Sequence, residues 1–304
     1  MKLGVISDIH SNILAFRACM SYLEKQNCDE YMFLGDYVTD TPYTEETMDY
    51  LYQILEKHTC HLLRGNREEY LLQQREIVKG RAQGPVWKNN SASGNLLYSL
   101  ERLSDRDLDF FEGLPITFVY EKEGFPPITF CHGSPVNTRE LMQIGGENTK
   151  KWLEQIPTDY LVAAHTHHPG GFEHQGKAYL NTGCCGIAIE DCGMAQCLIL
   201  ESAEREGDIW WKPEFVRVPY DTKQVVNDIY ESGLFDRAPW FLSANIHIYL
   251  TGIDRCAELV ALATKLQEEE TGQAVIWPYI EESFFAAAAE RLEIPNYCKL
   301  RRLQ

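Results

Sequence analysis

The sequence predicts an α/β protein with a helical C-terminal part. Short apolar runs alternate with amphipathic stretches near the start of the chain, and the character becomes helical from about Asp221. Strand–helix–strand repeats of this kind favour a parallel sheet with right-handed crossovers. Of the 304 residues, 44% are hydrophobic, so the chain has enough apolar material for a buried core.

Three apolar runs near the start are typical of buried parallel strands, because each is short and ends in a polar turn. They are KLGVI, YMFLG and CHLLRGN. A helix is expected from about Asn12 to Gln26, where apolar residues recur at three- and four-residue steps. A second helix is expected from Glu45 to Glu56, and a third begins near Arg67.

The region from Gln73 to Leu114 is polar and helical in character, and we interpret it as a helical insertion over the sheet edge. Further strands are expected at ITFVYEK, PITFCHG, YLVAAH, AQCLILE and WWKPEFVRVP. A hairpin is expected in GGFEHQGKAYLN, with Gln175 and Gly176 at its turn.

The last part of the chain is predicted to be a helical extension. Its clearest helices are Ala257–Glu270 and Glu281–Leu292. We therefore predict a boundary near residue 220, with the main domain at 1–220 and the extension at 221–304.

Composition excludes several classes of partner. The net charge of −17 argues against a nucleic-acid duplex, because contacts to its backbone require clustered Lys and Arg. If the substrate is anionic, local cations in the site must attract it. The sequence shows neither a signal peptide nor a run of about 18 apolar residues, so no membrane partner is expected. The cysteines lie in apolar stretches, as reduced core residues of a cytoplasmic protein do, and those around Cys184 lack zinc-site spacing.

Polar clusters directly follow five of the apolar runs. They are Asp8 with His10, Asp36, Asn66 with Arg67, His132, and His165 with His167. In open α/β sheets, ligands bind outside the carboxyl ends of the strands, so we expect these side chains to meet in one crevice. Each residue alone has an ordinary structural explanation, such as a helix cap or a turn. Their occurrence together favours a shared site.

The residue types indicate a binuclear metal site. Imidazole nitrogens and carboxylate oxygens together suit Mn(II), Fe(II), Zn(II) or Ni(II), and we favour manganese or iron. Seven ligands are too many for one tetrahedral ion but suit two ions that share a bridging carboxylate. Two ions about 3.5–4 Å apart clamp a phosphoryl group and hold a water or hydroxide for in-line attack.

The segments DIHSN, GDYVTD, GNRE, HG and HTH occur in this order. They resemble the blocks D-x-H, G-D, G-N-H-D/E, H and G-H-x-H of the calcineurin-like metallophosphoesterase superfamily. The resemblance covers roughly residues 1–220 and is greatest to the small bacterial phosphodiesterase branch, which acts on cyclic or aryl phosphodiesters and on dinucleoside polyphosphates. It implies a two-layer β-sandwich flanked by helices.

The resemblance also assigns the ligands. One ion takes Asp8, His10 and His167, the other takes Asn66, His132 and His165, and Asp36 bridges them. Two positions depart from the family pattern. Ala164 replaces a glycine, a small change, and Arg67 replaces a histidine that commonly assists the leaving group.

Three residues are candidates for substrate contact. Asn12 precedes the first predicted helix, where anions are favoured, and His168 directly follows the last ligand. Arg67 could contact phosphate and act in catalysis, since a guanidinium is planar and always charged, or it could be a surface salt-bridge residue.

The predicted function is metal-dependent hydrolysis of phosphodiester or phosphoanhydride bonds in nucleotides or related small molecules. One alternative is a phosphomonoesterase, including a protein phosphatase. The other is a non-catalytic scaffold of the same fold.

Overall fold

The computed structural model describes residues 1–205, 207–295 and 297, and these residues form two five-stranded sheets. The strands are β1 (Lys2–Ile6), β2 (Glu30–Phe33), β3 (Cys60–Leu62), β4 (Thr117–Tyr120), β5 (Ile128–Cys131), β6 (Tyr160–Ala163), β7 (Gly170–His174), β8 (Lys177–Asn181), β9 (Met194–Arg205) and β10 (Asp208–Pro219). The first sheet has the order β10-β9-β1-β2-β3 and the second β4-β5-β6-β8-β7.

Helices flank both sheets. They are α1 (Ile13–Lys25), α2 (Thr44–Lys57), α3 (Asn66–Val78), α4 (Gly94–Leu100), α5 (Asp105–Gly113), α6 (Glu147–Gln155), α7 (Thr222–Glu231), α8 (Pro239–Thr251), α9 (Cys256–Thr271) and α10 (Glu282–Arg291). A short 3₁₀ helix spans Phe235–Arg237. No helix in the described part of the chain is long and apolar enough to cross a membrane.

The two-layer sandwich flanked by helices is confirmed, and the parallel arrangement expected from the first repeats holds for β1–β3, although both complete sheets are mixed. β1, β2 and β3 are parallel, whereas β9 runs antiparallel to β1 and β10 antiparallel to β9. β5, β6 and β8 form the parallel part of a separate sheet. Apolar runs identify strands correctly, but pairing depends on which faces can be buried together over long sequence distances.

The two sheets pack through one apolar layer. Leu3 and Val5 of β1 lie in the same cluster as Phe130 of β5 and Val162 of β6. The neighbouring Ile6 faces the other way and packs with α1 and α2. This alternation follows from the two-residue period of a strand, and it buries both faces of β1.

The region predicted as an insertion packs against the first sheet. Leu108 and Phe111 of α5 share a core cluster with Phe16 of α1, and Ser104 caps α5. The hairpin is confirmed, with Gln175 and Gly176 at φ of 50° and 79°. These values are the left-handed backbone that a two-residue hairpin turn requires.

Helix α6 was not predicted from the sequence. It begins after Gly146, without a side-chain cap, and within it only Thr149 and Leu153 are fully buried. A short helix with so few buried positions gives a weak periodic signal.

The C-terminal helices pack on the sandwich at two places. Helices α7 and α8 share an apolar cluster with Tyr98, Cys184 and Ile187. Helices α9 and α10 form a second cluster that includes Ala92, which precedes α4. These contacts bring the last third of the chain to the end of the sandwich where the polar clusters lie.

Candidate active site

The loops that follow β1, β2, β5 and β6 are joined to one another at one end of the sandwich. The backbone N–H of Asp8 donates to the Gly35 carbonyl at 3.0 Å, and that of His10 donates to the Asp36 carbonyl at 3.0 Å. In the second sheet, the N–H of Ala164 donates to the His132 carbonyl at 2.9 Å. These hydrogen bonds hold the predicted ligands of different strands in fixed relative positions.

The backbone at the predicted ligands is strained. The left-handed region, which non-glycine residues rarely adopt, is occupied by Asp8, His10, Asp36, His165 and His167, with φ between 51° and 66°. Such conformations cost free energy and persist where the surrounding structure holds them, commonly at functional sites. The strain supports a functional role for this end of the sandwich.

One carboxylate oxygen of Asp8 lacks a partner among the protein groups. Oδ1 is buried without a hydrogen bond. The Nε2 atoms of three histidines surround it, those of His167 at 3.4 Å, His10 at 3.9 Å and His132 at 4.0 Å. A buried, unpaired carboxylate oxygen is costly, and a cation bound between it and the imidazoles would satisfy all of these atoms. The residues therefore fit a metal ion.

Distances within the cluster agree with two groups of ligands. His10 Nε2 and His167 Nε2 lie 3.3 Å apart. Two nitrogens bound to one ion at about 2.0–2.1 Å have a separation of about this size. In the other group, His132 Nε2 lies 2.9 Å from Asn66 Oδ1 and 3.5 Å from Asp36 Oδ1.

The seventh predicted ligand, His165, lies between these groups. Its ring centroid is 5.1 Å from that of His132, and its backbone N–H donates to Asp8 Oδ2 at 3.3 Å. The donor atoms of Asp8, His10 and Asp36 all lie within 4.8 Å of one another. The structure therefore brings all seven predicted ligands together.

Burial shifts the ionisation of these groups. Burial and the neighbouring Asp8 carboxylate raise the pKa of Asp36 to about 6. Burial raises the pKa of Asp8 as well, but His167, His132 and His10 outweigh it and hold that pKa well below the usual range. Burial and the nearby His132 lower the pKa of His165 to about 3, so its ring is neutral and has a lone pair for a metal.

Asp40 is a site residue that the sequence analysis missed. Its Oδ2 lies 2.9 Å from His10 Nδ1 and 3.1 Å from Arg67 Nη2, and its Oδ1 accepts a hydrogen bond from Asn95. A carboxylate at Nδ1 orients a metal-binding imidazole and leaves Nε2 free for the ion. The sequence contained an indication of this role, because Asp40 is the last residue of the GDYVTD block.

Glu68 lies in the same polar cluster as Asn66 and Arg67, and no role was predicted for it from the sequence. It is fully buried, and its carboxylate accepts the backbone N–H groups of Asp36, Tyr37 and Gly65 at 2.8, 2.8 and 2.7 Å. It therefore ties the loop after β2 to the start of α3. Gly65 is required at this junction, since a Cβ there would collide with Asp36 Oδ1 and lie 2.9 Å from His132 Cε1.

Cys184 lies beside the first ligand group. Its Sγ and the nearest ring nitrogens of His10 and His167 lie within 4.8 Å of one another. The thiol donates to the Asp8 carbonyl at 3.2 Å. The loop after β8 places Cys184 here. Its spacing to the other cysteines in the sequence does not predict this position.

The three predicted substrate contacts differ in position. Arg67 and His168 line a cavity at the metal-ligand cluster. Asn12 is not brought to this cavity. Its Oδ1 accepts from the Ala15 N–H as a helix cap, and its Nδ2 donates to the Gly186 carbonyl at 2.7 Å and to the Tyr220 hydroxyl at 3.2 Å. The side chain of Asn12 is occupied by structural contacts because the loop after β8 packs against the start of α1.

The cavity has a volume of about 500 Å³ and two unlike sides. We call the seven predicted metal ligands the floor, and all of them except Asp8 and His132 line the cavity. The wall is formed by the C-terminal part of the chain, and its members that line the cavity include Phe241, Asn245, Ile248, Ala257, Val260 and Trp277. Arg67 connects the two sides, because Nη2 contacts Asp40 and the guanidinium lies 4.7 Å from the centre of the Trp277 ring.

The fold and the cluster of predicted ligands agree with a phosphoesterase. A sequence model of the calcineurin-like phosphoesterase family matches residues 1–179, and the chain belongs to this family. Members of the family bind divalent metals, and membership supports hydrolysis of phosphoester bonds. The resemblance noted in the sequence is confirmed.

The similarity to other proteins extends beyond residues 1–179. An uncharacterized protein of Methanocaldococcus jannaschii is 22% identical over 263 residues, which cover 81% of this chain and 97% of that protein. The crystal structure of a hypothetical protein from Pyrococcus horikoshii OT3 has a TM-score of 0.65 at 19% identity, covering 83% of this chain and 99% of its own. A metallophosphoesterase from Sphaerobacter thermophilus has a TM-score of 0.59 at 21% identity, covering 79% and 98%. At these identities the structures establish the shared fold.

Proposed function

We propose that the protein uses two divalent metal ions to hydrolyse phosphodiester or phosphoanhydride bonds in nucleotides or related small molecules. The observation that carries this proposal is the convergence of ligands from both sheets around the unpaired Oδ1 of Asp8. Family membership supports the phosphoester bond as the target.

The ligands divide into two groups in this proposal. Asp8, His10 and His167 hold one ion, Asn66, His132 and His165 hold the other, and Asp36 is shared. When bound, two such ions supply positive charge for phosphoryl oxygens and lower the pKa of water. The mixture of imidazole and carboxylate suits manganese or iron first, and zinc or nickel also.

Other residues orient the floor and the substrate. Asp40 holds His10 so that Nε2 faces the ligand cluster. Arg67 brings a permanent positive charge to the cavity, where it can pair with phosphate oxygens. Arginine cannot donate a proton to a departing oxygen, because its pKa lies above about 12. The site is therefore suited to leaving groups that depart without a proton, such as phosphates and phenolates.

The alternatives are a phosphomonoesterase, including a protein phosphatase, and a non-catalytic scaffold. A cavity of about 500 Å³ has the size of a site for a small organic ligand. We propose residues 1–220 as the catalytic unit and the helices from 221 as the part that shapes its entrance. Nine described cysteines carry free thiols, which supports the cytoplasm as the location.

Metal analysis and a substrate panel test the proposal. Purified protein supplied with manganese should bind about two ions per chain and hydrolyse aryl diesters, cyclic nucleotides or dinucleoside polyphosphates faster than alkyl monoesters. A chain that binds metal and is inactive on the whole panel would be a scaffold. Preference for monoesters or phosphoproteins would establish the other alternative.

A further inference from the structure

The wall contains two buried N–H groups without partners. Asn245 is 2% exposed, and its Nδ2 has no hydrogen-bond acceptor. The indole Nε1 of Trp277 is also buried without an acceptor. Both residues line the cavity that contains the floor. Since an unpaired buried donor is costly, a ligand with acceptor atoms would satisfy groups that the protein leaves unpaired.

The Asn245 amide contacts a thiol on the next helix. The Cys256 thiol donates to Oδ1 of Asn245 at 2.8 Å. In this contact Oδ1 is the acceptor, and Nδ2 has no hydrogen-bond acceptor. The two residues come from α8 and α9, so this hydrogen bond joins the two helices.

Trp277 is held in place by rings and by Arg67. Its ring centroid lies 6.2 Å from that of Phe241 and 5.1 Å from that of Tyr70. The Arg67 guanidinium lies 4.7 Å from its centre. The indole and the guanidinium together form a fixed boundary of the cavity beside the floor.

Apart from Asp254 and Cys256, the other residues on this side of the cavity are apolar. Ile187, Ile189, Ile248 and Val260 line the cavity on the side of the C-terminal helices. A polyphosphate without an organic group would leave this surface uncovered. An acyl chain would cover it but leave both N–H groups unpaired. A planar ring system with acceptor atoms covers the apolar surface and also supplies acceptors for the two N–H donors.

We infer that the wall is a binding site for the organic group of the substrate, and that this group is a heteroaromatic ring with hydrogen-bond acceptors, as in a nucleobase. The inference rests on the proposed function, since it assigns the floor to the phosphate of the same molecule. The acceptors pair with Asn245 Nδ2 and Trp277 Nε1, and the ring covers the apolar part of the wall. The C-terminal extension thus determines specificity.

The test compares ligands with and without the organic group. Isothermal titration calorimetry on the manganese-loaded full chain measures binding of adenosine monophosphate and of inorganic phosphate. Wild type should bind adenosine monophosphate at least about ten-fold more tightly, the size expected for ring stacking. Hydrolysis of bis(p-nitrophenyl) phosphate is measured separately.

Two variants at the start of α9 provide a matched pair. Ala257 is exposed and lines the cavity, so Ala257→Trp fills the space without disturbing the core. It should reduce the preference for adenosine monophosphate at least five-fold. Glu258 is exposed and is absent from the cavity lining, so Glu258→Trp adds the same ring next to it and should retain the wild-type preference.

A third variant tests the donor. Asn245→Asp retains Oδ1 for the Cys256 thiol and replaces the amide N–H groups with an acceptor, so the preference should again fall at least five-fold. An unchanged preference in Asn245→Asp or in Ala257→Trp overturns the inference, as does a wild-type preference below two-fold. If adenosine monophosphate binds as expected but no phosphoester is hydrolysed, the proposed function fails and the wall remains a binding site.

Discussion

The floor and the wall of the cavity are built on different physical principles. The floor consists of charged and polar groups, five of them on strained backbone, and hydrogen bonds join the loops that contain them. The wall consists mainly of apolar side chains on helices, with two unpaired N–H groups among them. In our proposals the floor binds the ions that act on every substrate, whereas the wall binds the part that distinguishes one substrate from another.

The largest effect is expected at the residue shared by both ligand groups. Asp36→Asn should reduce activity by more than about 100-fold, because even residues that only orient a ligand are worth about 10–100-fold. Metal content should fall well below two ions per chain, since both groups lose the same carboxylate. Metal analysis and circular dichroism check this, and the dichroism spectrum should be unchanged. Full activity in this variant would refute the two-metal assignment.

Asp40 tests whether the floor depends on groups behind the ligands. Asp40→Asn should weaken metal binding or activity by about 10–100-fold, because the amide holds His10 less firmly and no longer neutralises Arg67. Titration with manganese monitored by activity measures the shift. Asp228 hydrogen-bonds Tyr43 on another part of the surface, so Asp228→Asn is the matched control and should remain within two-fold of wild type. If Asp40→Asn and Asp228→Asn bind manganese and act equally well, Asp40 has no role in the site.

Glu68 tests whether the floor is also a source of stability. Glu68→Gln replaces one acceptor oxygen by a donor and leaves at least one of three buried N–H groups unpaired. The free energy of unfolding should fall by about 1–3 kcal/mol. Urea denaturation of the metal-free protein measures this loss. Glu69→Gln is the control, because Glu69 contacts the Thr138 hydroxyl at the site's edge and its substitution should cost less.

Arg67 lies where the two regions meet and tests which leaving groups the site accepts. Arg67→His supplies a side chain that can donate a proton, and proton donation is worth about 10²–10⁴-fold when fully in place. Only part of this gain is expected, because Arg67 also contacts Asp40 and Trp277. Turnover of an alkyl monoester relative to a phosphoanhydride should rise several-fold, measured as kcat/KM for one substrate of each kind. If wild type already hydrolyses both equally, the leaving-group argument is wrong.

The smallest effect on metal content is expected from a substitution in the wall. Ala257→Trp changes the wall and contacts none of the floor, so its manganese content should equal that of wild type. Metal analysis of Ala257→Trp and Asp36→Asn side by side compares the effects of the two substitutions directly. Loss of manganese in Ala257→Trp would mean that floor and wall are not separate in function.

The floor could be predicted from the sequence because each of its parts is local. Asp8 and His10 directly follow one strand, and His165 and His167 follow another, so short segments contain both the strand and its ligands. Asp40 and Glu68 belong to the same segments and could have been included. Asn12 was assigned to phosphate from its place before a helix, whereas its partners Gly186 and Tyr220 lie far along the chain.

The α/β elements, the candidate metal ligands and the helical character of the C-terminal part could all be predicted from the sequence. The tertiary structure alone decided that the strands divide into two sheets, that Cys184 lies beside His167, and that Asn245 and Trp277 face the same cavity as Arg67. The physical reason is the range of the interactions. A strand and the polar turn after it are specified within about ten residues, but the wall exists only when helices from the end of the chain bury their apolar faces against its beginning.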